Sequence, residues 1–333
     1  MSFINKIQQR LNSITLKSVK KNTLKNINYN LRYTKSGKSI SLLRELKINK
    51  IGVVIGAGPS LRKEDQSIYL KKNRNKFYII ACDGALNYLL SSKIIPDLVV
   101  TLDPHPSRIV RWFGDTKLNM KKLKLDDYFE KQDLDTKLNG LESNKKLVKL
   151  FDKYSDKIKV AICTSSSKAV VERLKKCGTK MFWWNPFLDE IKKKESLSKK
   201  IYNLNKLPLV NTGGNVGSAA WMIADQVYNF KKIVLIGMDF SYYLETPLAS
   251  TQYYKVLDKI TKSSNEKKKF YKKIYNPHTK GFFYTDYIYL WYRENFLEMI
   301  SNTTSTTMNC TQAGILFGKK IKWTSLSMLC KNF

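Results

Sequence analysis

The stretch that most constrains this chain is Ile51-Gly52-Val53-Val54-Ile55, followed at once by Gly56-Ala57-Gly58-Pro59-Ser60-Leu61. A short, uncharged and largely β-branched run reads as a strand buried on both faces, which is the habit of parallel sheets covered by helices. Two glycines directly after such a strand allow a tight turn and close approach of a ligand to the backbone. Ser60 adds a hydroxyl where the next helix begins and its N–H groups point outward. Pro59 fixes φ within the loop. The third glycine of a dinucleotide fingerprint and the Gly-Lys-Ser/Thr of a P-loop are both missing. Residue by residue, the loop is therefore either a phosphate cradle or a plain strand-to-helix turn.

The same unit recurs downstream. A helix near 60–72 leads to the apolar run 77–82, which ends at Asp83-Gly84. A helix near 85–92 then leads to 98–102, which ends at Asp103. Strands alternating with helical segments predict a doubly wound α/β fold, whose ligands bind at the carboxyl ends of the strands. A lysine- and aspartate-rich segment at 115–158 reads as an exposed helical face. Regular structure resumes with a strand at 158–163, the polar Thr164-Ser165-Ser166, and a helix near 168–177. A second glycine cluster, Asn211-Thr212-Gly213-Gly214-Asn215-Val216-Gly217-Ser218, opens a helix at 219–228, and the strand at 232–237 ends in Met238-Asp239. Residues 246–280 are polar and read as a lid or acceptor loop containing Pro277-His278. A helix rich in aromatic and aliphatic residues follows at 286–300.

The ends and the charge are less specific. Ile4, Ile7, Leu11 and Ile14 recur at helical spacing among basic residues. They predict a cationic amphipathic helix that either docks on an anionic membrane or packs on the body of the protein. Residues 20–39 read as a linker or poorly ordered arm. The net charge of +33, from 60 Lys and Arg against 27 Asp and Glu, fits attraction to anionic lipid or an anionic substrate. Lysine is abundant throughout, however, so the charge is also explained by a general compositional bias, and no specific nucleic-acid partner is expected. Five cysteines without paired spacing imply neither a disulfide framework nor a zinc site. With no apolar window of about eighteen residues and no signal-peptide core, the expected location is cytoplasmic, with peripheral contact at the inner face of the membrane through the arm.

Taken in order, Gly-x-Gly-Pro-Ser-Leu, the strand end at Asp103, Thr212-Gly213-Gly214-Asn215-Val216-Gly217, Ile236-Gly237-Met238-Asp239 and Asn309-x-Thr311-x-x-Gly314 resemble a known family. The chain is similar over roughly 50–320 to the 6-hydroxymethylpterin diphosphokinase MptE-like domain, which also forms the centre of the motility-associated factor (Maf) glycosyltransferases. That resemblance implies a Rossmann-like, mostly parallel sheet with a C-terminal helical or lid region, and the basic helical N-terminal arm lies outside it. The chain then divides into an arm and linker at 1–49, a nucleotide-binding core at 50–245, and a lid and C-terminal part of the same domain at 246–333. The diphosphokinase branch implies ATP and an Asp-rich metal turn after the third strand. Here that place reads Thr101-Leu102-Asp103-Pro104-His105-Pro106, with one acid, which argues against magnesium-pyrophosphate chemistry. The Maf branch, similar in layout to bacterial sialyltransferases, implies transfer of an acidic, nonulosonic sugar from a CMP-activated donor to a surface glycan or protein hydroxyl. It needs no obligatory cofactor and is compatible with Mg2+.

Carried onto this sequence, the resemblance implies that Gly56, Gly58, Pro59 and Ser60 hold the donor phosphate and that Asp83, Gly84 and Asp103 lie beside the nucleotide. Thr212, Gly213, Gly214 and Asn215 form a second anion-facing loop, and no metal ligands are assigned. Asp239 either hydrogen-bonds a sugar hydroxyl or caps a helix. The chain has two histidines, and histidine is the side chain best suited to take a proton at neutral pH. His278 lies beyond the Gly-x-Asp strand end where the sialyltransferases place their base, and it ranks first. His105, held between two prolines at a strand end, ranks second. Two rival readings are an ATP-dependent diphosphokinase acting on a pterin-like alcohol, and a non-catalytic polyanion- or membrane-binding protein.

Overall fold

A computed structural model describes residues 20–46, 48–125, 140–258, 261 and 263–331. The expected amphipathic helix at 4–14 lies outside the described residues. In chain order the strands are β1 (Lys38–Ser39), β2 (Ile51–Ile55), β3 (Phe77–Cys82), β4 (Leu98–Thr101), β5 (Lys159–Cys163), β6 (Lys180–Pro186), β7 (Leu209–Val210), β8 (Lys232–Ile236), β9 (Tyr242–Tyr243), β10 (Tyr271–Asn276), β11 (Gly281–Asp286), β12 (Thr306–Asn309) and β13 (Ile321–Trp323). The main sheet runs β1-β6-β5-β4-β3-β2-β8-β12-β13, with β7 beside β6. Its pairings are all parallel. A small antiparallel sheet, β10-β11-β9, stands on the carboxyl side of β8.

This order places the functional elements. The chain starts the core at β2 and winds outward through β3, β4, β5 and β6. It then returns to lay β8 against the other side of β2 and continues to β12 and β13. The winding direction reverses between β2 and β8, so the carboxyl ends of these two strands form the switch-point crevice where open α/β sheets bind ligands. Both faces are covered, as the apolar runs require. Val53, Ile55, Ile79 and Val234 pack with Phe113 and Phe151 on one face. Val54, Ile80 and Leu235 pack with Trp184, Trp221 and Phe230 on the other. No helix among the described residues is long and apolar enough to cross a membrane.

Three sequence expectations change. The expected linker at 20–39 is helical over 20–34, with Thr23, Ile27, Asn30 and Thr34 buried along one face, and then supplies β1. Only one of those four residues is strongly apolar, so no hydrophobic stripe marks the helix. It docks through amides instead. Asn30 Nδ2 donates to the Thr164 and Ser166 carbonyls at 2.8 Å each. Asn26 Nδ2 donates to Pro104 O and Ser165 O at 2.9 and 2.8 Å. One turn apart on the helix, these asparagines tie together the loops that leave β4 and β5. Second, the segment expected to be exposed includes a helix, Gly140–Tyr154, that buries Leu147 and Phe151. Phe151 meets the Phe113 ring edge-on, and the Arg173 guanidinium lies over it. Third, the helix near 60–72 is two short helices, Ser60–Lys63 and Ser67–Lys72.

Replacing Asn30 by Ala leaves two buried carbonyls without their side-chain donor. Each unmet buried polar group costs about 1–3 kcal/mol. Asn30→Ala is therefore expected to lower stability by about 2 kcal/mol or more, read as a drop in urea midpoint with unchanged slope. A midpoint equal to wild type would show that the helix is not tied down through this residue.

Candidate active site at the β2–β8 switch point

The glycine loop after β2 is locked to the loop after β8. Gly56 N–H donates to Ile236 O at 2.8 Å and Gly58 N–H to Gly237 O at 2.9 Å. Asp239 accepts from Ser60 twice, from the backbone N–H at 3.2 Å and from the hydroxyl at 2.8 Å. A side chain cannot be added at either glycine. A Cβ at Gly58 would stand 2.0 Å from Asp239 Oδ2 and 2.7 Å from Gly237 O, and one at Gly56 would stand 2.4 Å from Gly237 O. The glycines are thus required by the approach of one protein loop to another. The N–H groups of Gly58 and Ser60, expected to face a donor phosphate, turn inward, and so does the Ser60 hydroxyl. Asp239, expected either to bind sugar or to cap a helix, caps the Ser60–Lys63 helix from a strand 179 residues away.

The other strand ends converge on the same crevice. Asp83 is buried at the end of β3 and accepts from Thr101 Oγ1 and Gly84 N–H, both at 2.8 Å. Burial, helped by the nearby Asp103 charge, raises its pKa to about 7 against these hydrogen bonds. Asp103 is exposed and accepts the His105 N–H at 2.7 Å. His105 Nδ1 in turn accepts from Ser107 N–H at 3.3 Å and Arg108 N–H at 3.2 Å. With Nδ1 used as an acceptor, the neutral ring carries its proton on Nε2. That geometry gives His105 a turn-capping role.

The second glycine loop is roofed by aromatic rings. Gly213 and Gly214 have φ of 54° and 90°, and a Cβ at Gly214 would meet the Tyr292 ring at 2.6 Å and the Trp291 ring at 2.7 Å. Thr212 Oγ1 accepts the Gly214 N–H at 3.3 Å, and Asn215 Oδ1 accepts the Ser218 N–H at 2.9 Å as N-cap of the helix Val216–Met222. The rings belong to the helix Tyr287–Ser301, whose N-cap Asp286 accepts from Ile288 N–H, Tyr289 N–H and Tyr242 OH. Tyr242 stacks on Tyr289 with centroids 5.2 Å apart, and Tyr253 meets Tyr289 edge-on and Tyr292 through their hydroxyls at 3.4 Å. Tyr289 feels the charge of Asp239, and Tyr292 that of Asp103. Desolvation raises the pKa of Tyr253, Tyr289 and Tyr292, so each stays a neutral hydrogen-bond donor. Sequence reading missed this tyrosine wall. Its signal was the unusual tyrosine content of 287–292, which reads as core without a topology to say what it faces.

His278 occupies the tip of the β10–β11 hairpin and is exposed. Its N–H donates to Asn276 Oδ1 at 2.8 Å, while buried Asn276 Nδ2 donates to Gly314 O at 2.7 Å. The loop after β12 is fastened in turn to Asp239: Ile315 N–H donates to Asp239 O at 2.9 Å, and a Cβ at Gly314 would stand 2.5 Å from that oxygen. The structure thus brings His278, Asp239 and the Gly56–Ser60 loop to one end of the sheet. It places His105 and Asp103 on the β4 side of the same end.

With this geometry in hand, the family model described as 6-hydroxymethylpterin diphosphokinase MptE-like matches residues 21–118. That stretch of the chain is similar to the family, over less than a third of its length. The match begins within the helix 20–34, well ahead of the residue near 50 from which the sequence motifs had placed the resemblance, and it takes in β1 to β4 with the first glycine loop. The matched stretch therefore includes the asparagine-bearing helix. A solved Maf glycosyltransferase from Magnetospirillum magneticum AMB-1 shares the fold, with a TM-score of 0.51 and 13% identity. That likeness covers 87% of this chain and 38% of the other, so the chain spans well under half the length of the protein it resembles. No curated protein matches the chain.

The buried acids give the protein a pH signature. Asp83 and Asp239 are both raised to about 7 and Asp286 to about 6, in each case chiefly by burial. A carboxyl with a raised folded-state pKa holds its proton more tightly folded than unfolded. Its contribution favours folding below the ordinary carboxylate range and is lost as pH rises through 6 to 7. The melting temperature should therefore be higher at pH 5.5 than at pH 8.0, and Asp239→Asn should shrink the difference. A melting temperature that rises between those values would contradict the assignment.

Proposed function

We propose that this protein is a glycosyltransferase that uses a nucleotide-activated donor bound across the β2–β8 switch point, with a CMP-linked acidic sugar as the preferred donor and a glycan or protein hydroxyl as acceptor. The observation that carries the reading is the convergence of two glycine loops and a wall of neutral tyrosines around that switch point, with the His278 hairpin fastened to the loop after β12 that holds Asp239. In the reaction, the acceptor oxygen attacks the anomeric carbon and a new C–O bond forms. The bond from that carbon to the phosphate oxygen breaks, and the nucleoside monophosphate leaves with the electron pair. The acceptor proton passes to the His278 imidazole. Neutral phenols of Tyr253, Tyr289 and Tyr292 suit an anionic leaving group, since they donate hydrogen bonds without themselves ionising. Asp239 and Ser60 act as the scaffold that holds the two loops together. The Maf neighbour and the MptE-like match support this class of activity.

A second reading, ATP-dependent diphosphokinase, gains one observation. Asp83 lies close enough to Asp103 to feel its charge, so the carboxylate beside Asp103 that sequence alone did not supply comes from the neighbouring strand. Asp83 is nonetheless buried and held by Thr101 and Gly84, which leaves Asp103 as the accessible oxygen donor. Thermal-shift measurements across CTP, CMP, CMP-sugars, UDP-sugars and ATP with and without Mg2+ separate the readings, because a ligand bound by the folded state raises its stability. Stabilisation by CMP and CMP-sugars alone supports the transferase. Stabilisation by ATP only with Mg2+, accompanied by AMP release, overturns it.

A further inference from the structure

The His278 imidazole does not stand free at the hairpin tip. Its ring lies flat against the Trp323 indole, with centroids 4.8 Å apart and planes 4° from parallel, and the Phe317 ring is 6.2 Å away. Trp323 ends β13, a strand with no role in the site described so far, and its Nε1–H donates to Leu316 O at 2.8 Å. Side chains from two other elements secure the same loop. Asn309 Nδ2 donates to Leu316 O at 2.7 Å, and Arg293 donates to Ile315 O and Phe317 O. The indole is thus fixed to a loop that is itself fastened to Asp239, while the hairpin that carries His278 reaches that loop through Asn276 and Gly314.

An exposed histidine on a two-stranded hairpin has rotamer freedom about both χ angles. A flat stack on an immobile indole removes most of it, setting the plane of the imidazole and the directions of its two nitrogens. We propose that Trp323 is the positioning residue for His278, aligning the imidazole by face-to-face stacking so that it meets the acceptor hydroxyl. The inference rests on the reading of His278 as the base. Trp323 touches neither donor nor acceptor and acts through the ring it stacks on. Misplacing a catalytic group by about 1 Å can cost on the order of a hundredfold in rate.

The test uses the full chain, with release of CMP from CMP-N-acetylneuraminic acid as the turnover probe. Trp323→Leu removes the stack, whereas Trp323→Phe keeps an aromatic face while losing the fused second ring and the indole N–H that holds Leu316 O. The expected result is a kcat lower by roughly tenfold to a hundredfold for Trp323→Leu, a donor KM within about twofold of wild type, and recovery of most of the rate in Trp323→Phe. In a His278→Ala background, Trp323→Leu should cost nothing further, since its effect runs through the imidazole. The same fold-loss in both backgrounds, or a wild-type kcat in Trp323→Leu, overturns the inference. If His278→Ala alone keeps wild-type turnover, the base assignment falls, and the positioning role falls with it.

A readout independent of turnover checks the stack itself. The chain has two histidines, so the His278 ring protons can be followed in a histidine-labelled sample. Their resonances should carry the upfield ring-current shift of a stacked imidazole in the wild-type protein and in Trp323→Phe, and lose it in Trp323→Leu. Resonances unchanged in Trp323→Leu overturn the inference whatever the turnover shows.

Discussion

His278→Ala should lower turnover of a CMP-activated donor by on the order of 10²–10⁴, the usual worth of a general base, while leaving donor affinity close to wild type. The structure makes this a clean experiment. The His278 hydrogen bond to Asn276 Oδ1 comes from the backbone N–H and survives the substitution. The side chain is exposed, so its removal opens no core cavity. What is lost is the stack on Trp323, worth about 0.5–1.5 kcal/mol, which a melting curve will register as a small shift. His105→Ala supplies the contrast. It removes the Nδ1 acceptor of two turn amides and should cost about 1 kcal/mol of stability, as loss of a cap does, with a much smaller effect on kcat. If His105→Ala is the variant that loses turnover, the two roles are exchanged. If both stay active, the proton goes to a carboxylate, Asp103 or Asp239.

The other large effect is expected at Gly58, and its cause is internal. Even Gly58→Ala places a methyl carbon 2.0 Å from Asp239 Oδ2 and 2.7 Å from the Gly237 carbonyl. The first neighbour is a buried side chain held by two hydrogen bonds and the second is backbone, so neither moves cheaply. Overpacking a rigid site costs about 1–3 kcal/mol, and pushing Asp239 off Ser60 strands a buried carboxyl at a similar additional cost. Gly58→Ala should therefore lower stability by about 3 kcal/mol or more and weaken nucleotide binding through displacement of the loop. Ser60→Ala separates the two effects: it deletes the hydroxyl without a clash and should cost about 1–3 kcal/mol. A Gly58→Ala protein as stable as wild type but unable to bind nucleotide would restore the ligand-facing role that the sequence suggests for this loop.

Much of the architecture is legible locally. The strands at Ile51–Ile55, Phe77–Cys82, Leu98–Thr101, Lys159–Cys163 and Lys232–Ile236 announce themselves by short apolar runs ending in Gly, Asp or Ser. Those signals depend only on neighbouring residues, as does the α/β alternation they imply. The order of motifs pointed to the MptE-like family, which the match over 21–118 supports. The helix at 20–34 was not legible, because it is held by Asn26 and Asn30 reaching main-chain carbonyls, and hydropathy does not register an amide that is satisfied only in the fold.

The sequence by itself thus determined the core strands, the parallel character of the sheet and the residues at the strand ends, since each follows from side-chain chemistry within a few positions. Only the tertiary structure decided what those residues face. Ser60 and Asp239 are 179 residues apart, and no local pattern states that β8 lies beside β2; once it does, the Ser60 hydroxyl and the Gly58 N–H belong to the protein. The same holds for Tyr289 and Tyr292, core-like in a linear reading until the fold brings them within reach of the Asp239 and Asp103 charges respectively, and for His278, whose partner Trp323 arrives on the last strand. The physical reason is common to all three. The specificity of a buried or stacked polar group is set by the geometry of its partners, and that geometry exists only after chain segments far apart in sequence have been packed together.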